Sequence, residues 1–144
     1  MKRAEQEAIR WVLQAQDDQR FVEWIREEGV FFDKGCFVAQ QAAEKAMKAC
    51  LYSIGRRQVI GHSIVELCAD LKGVAPGFAS LGDAARRLDR FYIPTRYPNG
   101  LPGGVPCQVY SMDDLEEASE DLSKILATTM GFLREKGILS EGGT

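Results

Sequence analysis

Residues 36–50, Cys36-Phe37-Val38-Ala39-Gln40-Gln41-Ala42-Ala43-Glu44-Lys45-Ala46-Met47-Lys48-Ala49-Cys50, decide how this chain is read. At about 100° per residue, Ala39, Ala42, Ala43, Ala46, Ala49 and Cys50 gather on one side of a helix, and Phe37, Gln41, Glu44 and Lys48 form a stripe on the other. A side made of alanine lets a neighbouring helix approach closely, as in a tight antiparallel bundle. Gln41, Glu44, Lys45 and Lys48 recur at three- and four-residue steps, the pattern of a solvated or ion-paired row worth about 0.2–0.5 kcal/mol per pair.

The flanking sequence extends the helical reading in both directions. This second helix is expected from about Lys34 to Tyr52, with Asp33 as its N-cap and Gly55 at its end. Upstream, Ala8, Trp11, Val12, Ala15, Val22 and Ile25 mark an amphipathic helix over Lys2 to Glu28, stopped by Gly29 and followed by an apolar corner at Val30-Phe31-Phe32. Downstream, Gly55 to His62 is a loop. Ser63-Ile64-Val65-Glu66 has the pattern of a capping box, opening a short helix to Lys72. Leu81, Ala84, Ala85, Leu88 and Phe91 sketch a fourth helix that must stop before Pro94.

Pro94 to Tyr110 holds four prolines and is expected to be a long non-helical loop, a kind of segment that often carries function in compact domains. Ser111-Met112-Asp113-Asp114 then opens the most regular stripe of the chain, Leu115, Ala118, Leu122, Ile125, Leu126, Thr129 and Leu133, ending near Gly137. No segment alternates with period two. The fold class is therefore all-α: an up-and-down helical bundle of about five helices, with a long C-terminal helix and a Pro/Gly-rich loop before it. One domain is expected over residues 1–138, with 139–144 as a disordered tail.

Composition narrows the function classes. The 144 residues are 45% hydrophobic and 27% charged, enough for one soluble domain that buries its own core without disulfides or a structural metal. No stretch approaches the roughly 20 apolar residues that span a bilayer. Met1-Lys2-Arg3 is followed by Glu5, Gln6 and Glu7 rather than by an apolar segment, so no signal peptide is expected and the cytoplasm is the expected compartment. Cys36, Cys50, Cys68 and Cys107 form no C-x-x-C pair and are expected to be reduced, buried small hydrophobes. The net charge of −3 is uneven: residues 53–100 carry 7 basic and 4 acidic side chains, residues 101–144 carry 3 and 8. A mildly basic centre in an acidic protein suggests a local anion site rather than a broad nucleic-acid face.

The inventory excludes most enzyme classes. The chain has no G-x-S-x-G, Walker loop, dinucleotide fingerprint or H-E-x-x-H. Histidine occurs once, at His62, so a mechanism with two imidazoles needs two chains, and neither a metal nor a cofactor is expected. His62 precedes the third helix, whose N-terminus favours an anion, and Arg56 and Arg57 lie just upstream; together they could hold a phosphate. The other reading makes His62 a structural residue bonded to a backbone carbonyl. A second constellation, Leu88 to Gly100, places Arg90, Arg96, Phe91, Tyr92 and Tyr97 at a helix end and its loop. They either stack a base and bind its phosphate, or pin the loop to the core.

Taken together, Gln40 to Ala49, Gly61-His62-Ser63 and Tyr92-Ile93-Pro94-Thr95-Arg96-Tyr97-Pro98-Asn99 resemble the HEPN family, named for higher eukaryotes and prokaryotes nucleotide-binding, over roughly residues 5–137. The resemblance implies a homodimeric helical bundle, often associated with a minimal nucleotidyltransferase. Many members of that family look like metal-independent ribonucleases of toxin–antitoxin or defence systems that use an Arg-x(4–6)-His motif from each subunit. Arg57 and His62, and also Arg56 and His62, have that spacing; here it falls in a loop before the third helix, Gln58 follows Arg57, and the final helix holds no histidine. The resemblance thus implies nucleotide or RNA binding at a dimer cleft by Arg56, Arg57, His62, Tyr92, Arg96 and Tyr97, with Lys45 and Lys48 as further candidates. Its alternatives are an endoribonuclease with His62 and Arg57 as catalytic pair, and a non-catalytic partner of a nucleotidyltransferase.

Overall fold

The structure, a computed structural model, describes residues 2–140. Among them are six α-helices and no strand: α1 (Lys2–Glu28), α2 (Phe32–Ser53), α3 (Ile64–Lys72), α4 (Gly82–Asp89), α5 (Pro106–Val109) and α6 (Met112–Glu135). Tight 3-10 turns at Pro76–Leu81 and Pro98–Gly100 complete the order. The long helices α1, α2 and α6 form the body of the bundle, and α3 and α4 close one side against α2 and α6.

Helix α2 is the central element. Ala39, Ala42, Ala43, Ala46 and Ala49 have no solvent exposure at all, and with Cys36, Met47, Cys50 and Leu51 they face Val12, Ala15, Val22, Ile25, Leu115, Leu122, Ile125 and Leu133 in one continuous core. Small side chains bring the backbones together, so contact is made along the whole helix rather than at one crossing. The expected alanine seam is this interface.

Helix ends follow local chemistry. Gly29 (φ +68°) ends α1. In α6 the Ser111 hydroxyl accepts from the Asp114 N–H at 3.3 Å while the Asp114 carboxylate accepts from the Ser111 N–H at 2.9 Å, a complete capping box. Beyond Gly137 (φ +77°) the N–H groups of Ile138 and Leu139 return to the Leu133 carbonyl at 2.9 and 3.4 Å, and both side chains pack on the core. The tail expected at 139–144 thus begins with a packed Leu139, and residues 141–144 lie outside the described residues.

Three local expectations are corrected. Helix α2 starts at Phe32, so Asp33 sits inside its first turn and Phe31 is the N-cap, in the left-handed region at φ 55°. Two left-handed residues, Gly29 and Phe31, reverse the chain within three positions; for a phenylalanine that conformation costs about 1–2 kcal/mol. The Pro94–Tyr110 segment is not wholly irregular, because Pro98 and Pro106 each open a single helical turn, the position where a missing N–H costs nothing. Within it Gly100 lies so close to Pro94 that an added Cβ would sit 3.0 Å from the Pro94 Cα, which folds the loop back on itself. Finally, Cys36, Cys50 and Cys68 are buried but Cys107 is exposed.

Burial pushes the Cys36 thiol up to about 12 and raises those of Cys50 and Cys68 as well, so all three stay protonated and unreactive near neutral pH. A thiol reagent should therefore label one cysteine rapidly in the native protein and all four after denaturation; two or more fast thiols would contradict this burial. Replacing Ala46 by Leu on the seam should lower stability by about 1–3 kcal/mol in urea unfolding, as overpacking does, despite leucine's good helix propensity. An unchanged midpoint would mean that the helices are not in close contact there.

Candidate functional site

The face of α2 opposite the alanine seam carries Asp33, Phe37, Gln41, Glu44 and Lys48 in one row, about 22 Å long at 1.5 Å per residue. It is not a solvated stripe. The side chains of Glu44 and Lys48 are only 6% and 7% exposed, and Lys48 Nζ lies 3.0 Å from Glu44 Oε2. The ammonium also sits 5.6 Å from the centre of the Trp11 ring, which itself packs against Tyr52. Removing either partner from such an enclosed pair leaves a buried charge without compensation.

Above this pair lies His62. Its Nδ1 is 3.2 and 3.3 Å from the two oxygens of Glu44, and its backbone carbonyl accepts from Gln40 Nε2 at 2.8 Å. An ionised carboxylate only accepts, so the Nδ1 proton is assigned to this contact and Nε2 is left open. No protein group among the described residues bonds to Nε2, and the side chain is 57% exposed. The carboxylate and the backbone contact together fix the ring's position and orientation.

The ring stacks on Tyr92 with centroids 4.9 Å apart and planes at 18°. Tyr92 in turn lies 6.2 Å from Phe37, and the Arg96 guanidinium carbon stands 4.6 Å from both of those ring centres and 5.2 Å from Tyr97. These residues come from a knot of turns after α4: Tyr92 N–H bonds to the Asp89 carbonyl, Arg96 N–H to that of Ile93, and Arg96 Nε donates to the Tyr92 carbonyl at 2.9 Å. Buried Thr95 anchors the turn through its hydroxyl, which donates to the Phe91 carbonyl. The two terminal nitrogens of Arg96 have no protein acceptor among the described residues. The site thus presents a guanidinium held among aromatic rings beside an imidazole with one open nitrogen, a surface suited to stacking a planar group and binding an anion.

The structure unites His62, Tyr92, Arg96 and Tyr97 and disperses the other candidates. Arg56 pairs with Asp70 at 3.6 Å. Arg57 is exposed and has no partner among the described residues. Lys45 is tied to Asp18 of α1 at 2.6 Å, and Lys48 is enclosed with Glu44, so neither offers a free ammonium to a ligand. The helix terminus after His62 is also taken: Asp89 accepts from the Ser63 hydroxyl at 2.8 Å and from the N–H groups of Ile64 and Val65 at 2.8 and 3.1 Å. The protein's own carboxylate therefore stands where an anion was expected, and it satisfies the orphan donors of α3. Glu44 and Phe37 are not among the sequence candidates; their place in the α2 row is visible there, but not that the loops carrying His62 and Arg96 close over it. Among the described residues, no group of three or more His, Cys, Asp and Glu side chains could hold a metal ion. Nor is any helix there long and apolar enough to cross a membrane.

Comparison with known proteins agrees with this architecture. The HEPN domain family model matches residues 8–135. Two solved structures are similar: TT1696 from Thermus thermophilus, 38% identical over 88% of this chain and 98% of that one with a TM-score of 0.80, and ST0689, an archaeal HEPN homologue, 30% identical over 87% and 96% with a TM-score of 0.71. No curated protein matches the chain. With its helical bundle, its α2 row and a family match over nearly its whole length, the chain belongs to the HEPN domain family.

Proposed function

We propose that this protein is a binding module that takes the phosphate of a nucleotide or RNA on the His62–Tyr92–Arg96 surface, acting as a cytoplasmic homodimer beside a minimal nucleotidyltransferase. The observation that carries the reading is Arg96. Three aromatic rings surround its guanidinium within 5.2 Å, Nε is committed to a backbone carbonyl, and the remaining fork of N–H donors is free. A guanidinium so fixed loses little entropy on binding phosphate, and the adjacent rings supply faces on which a base can stack.

An apolar patch supports a protein interface. On the outer side of α1, Phe21 and Trp24 stack with centroids 6.3 Å apart, and both are about half exposed. Phe31, at the strained corner after α1, is 60% exposed. Exposed aromatics of this size in a small domain mark a surface that another protein covers.

A ribonuclease reading draws on a different observation, the Glu44–His62 contact. A buried carboxylate behind Nδ1 and an open Nε2 is the arrangement of a general acid–base histidine. His62 would exchange the 2′-hydroxyl proton while Arg57 or Arg56 stabilised the charged phosphorane, and a toxin–antitoxin role would follow.

Replacing Arg96 by Ala should weaken mononucleotide binding about tenfold, the value of one charge-assisted contact, with the fold retained by circular dichroism. Equal affinity in the variant would remove the ligand from this surface. Cleavage of single-stranded RNA in EDTA, lost in His62→Ala, is the outcome of the ribonuclease reading; cleavage that survives the substitution rules His62 out as its acid–base group. Light scattering of Trp24→Glu should show a monomer if the α1 patch is the dimer interface, and an undisturbed dimer would place that interface elsewhere.

A further inference from the structure

Beside Arg96 the surface opens into a cavity of about 350 Å³, on the side away from His62. Phe37 and Arg96 belong to both places, so the cavity continues the α2 row toward its N-terminal end, where Asp33 and Lys34 line it. Pro98 and Pro106, the two prolines that open the helical turns of the preceding loop, add rigid apolar walls. A volume of this size is at the lower end for small-molecule sites, with room for one base and its sugar.

Asp33 is the informative residue. Its side chain is 5% exposed, and its one ion-pair partner among the described residues is Lys34 Nζ at 3.1 Å; its charge also acts on the Cys36 thiol and the Tyr110 hydroxyl. An ionised carboxylate has about four acceptor positions, and a buried one is ordinarily hydrogen-bonded at several. The cavity is thus bordered by an under-used acceptor with an ammonium donor directly beside it. Flat apolar walls lie around them, and a guanidinium with a free fork lies toward the candidate phosphate site.

We propose that this cavity is a base-selective subsite that takes guanine, with its N1–H and N2–H donated to the Asp33 carboxylate, its O6 accepting from Lys34, and its phosphate on Arg96. The inference rests on the nucleotide-binding reading and extends it to the identity of the base. The choice follows from the polarity of the base edges. Guanine alone offers two parallel N–H donors beside an acceptor. Adenine and cytosine would each turn a ring-nitrogen acceptor toward the carboxylate, and uracil offers a single N–H between two carbonyl oxygens. Lysine to guanine O6 is also a common specific contact in nucleic-acid recognition.

The test is equilibrium binding of GMP, IMP, AMP, CMP and UMP to the full chain and to Asp33→Asn. Wild type should bind GMP about tenfold more tightly than AMP, CMP or UMP, the discrimination of one bidentate pair, with IMP intermediate because it lacks the 2-amino group. Asp33→Asn should abolish the preference for GMP, because the amide donates as well as accepts and no longer disfavours the ring nitrogens of adenine and cytosine. Cys107, an exposed thiol on the same cavity wall, gives a second readout in the unmodified protein: GMP should slow its alkylation by iodoacetamide, and inorganic phosphate should not. Equal affinity for all five nucleotides, or alkylation of Cys107 unaffected by saturating GMP, would overturn the guanine subsite while leaving phosphate binding in place. Absence of binding by every nucleotide would overturn the underlying reading as well.

Discussion

Close contact along the alanine seam of α2 is the constraint on which the rest of the molecule depends. Because Ala39, Ala42, Ala43, Ala46 and Ala49 let α1 and α6 approach, α2 is enclosed over most of its circumference, and 14 of its 22 residues are buried. Its polar face is then no longer free to be a solvated stripe. Glu44 and Lys48 are covered by Trp11 and by the loop carrying His62, and they face each other as an enclosed ion pair. An isolated charge at those positions would be expelled from the interior or neutralised. The same packing that builds the bundle thereby fixes a carboxylate behind the imidazole.

From that carboxylate the geometry passes outward through contacts of one kind after another. Glu44 orients His62 by a hydrogen bond, His62 meets Tyr92 by stacking, and Tyr92 and Phe37 hold Arg96 by cation–π contact. Each step leads from a rigid interior toward solvent, so the exposed end, the Arg96 fork, is held without being consumed by an internal ion pair. Arg87 differs in this respect, being committed to buried Asp121 through two hydrogen bonds, which raise its pKa further. Asp89 has the complementary role, closing the α3 N-terminus that would otherwise compete for an anion.

The helices were legible from the sequence wherever a local signal defined them. Gly29, the Ser63 and Ser111 caps, and the three- and four-residue apolar steps act within a single turn, and the helix ends lie close to where those signals put them. Features set by distant partners were not legible. Lys45 meets Asp18 across 27 positions and Ser63 meets Asp89 across 26, and nothing in either segment announces its partner. For the same reason His62, Tyr92 and Arg96 could each be singled out while their stacking could not. Glu44 read as an ordinary helix-surface acid because its burial comes from a loop 18 residues away. Phe31 ran against propensity, since the short connection between α1 and α2 holds this phenylalanine in the left-handed region.

On the proposed reading a ligand sits against the oriented imidazole, and the chain's single histidine makes this directly observable. The imidazole carbon-bound proton resonances of His62 should be followed by NMR while a mononucleotide is titrated into the protein. A saturable shift of those resonances, with the same affinity as bulk binding, is the result this structure predicts. Bulk binding with the imidazole signals unmoved would contradict it, because the ligand would then lie away from the row that α2 builds.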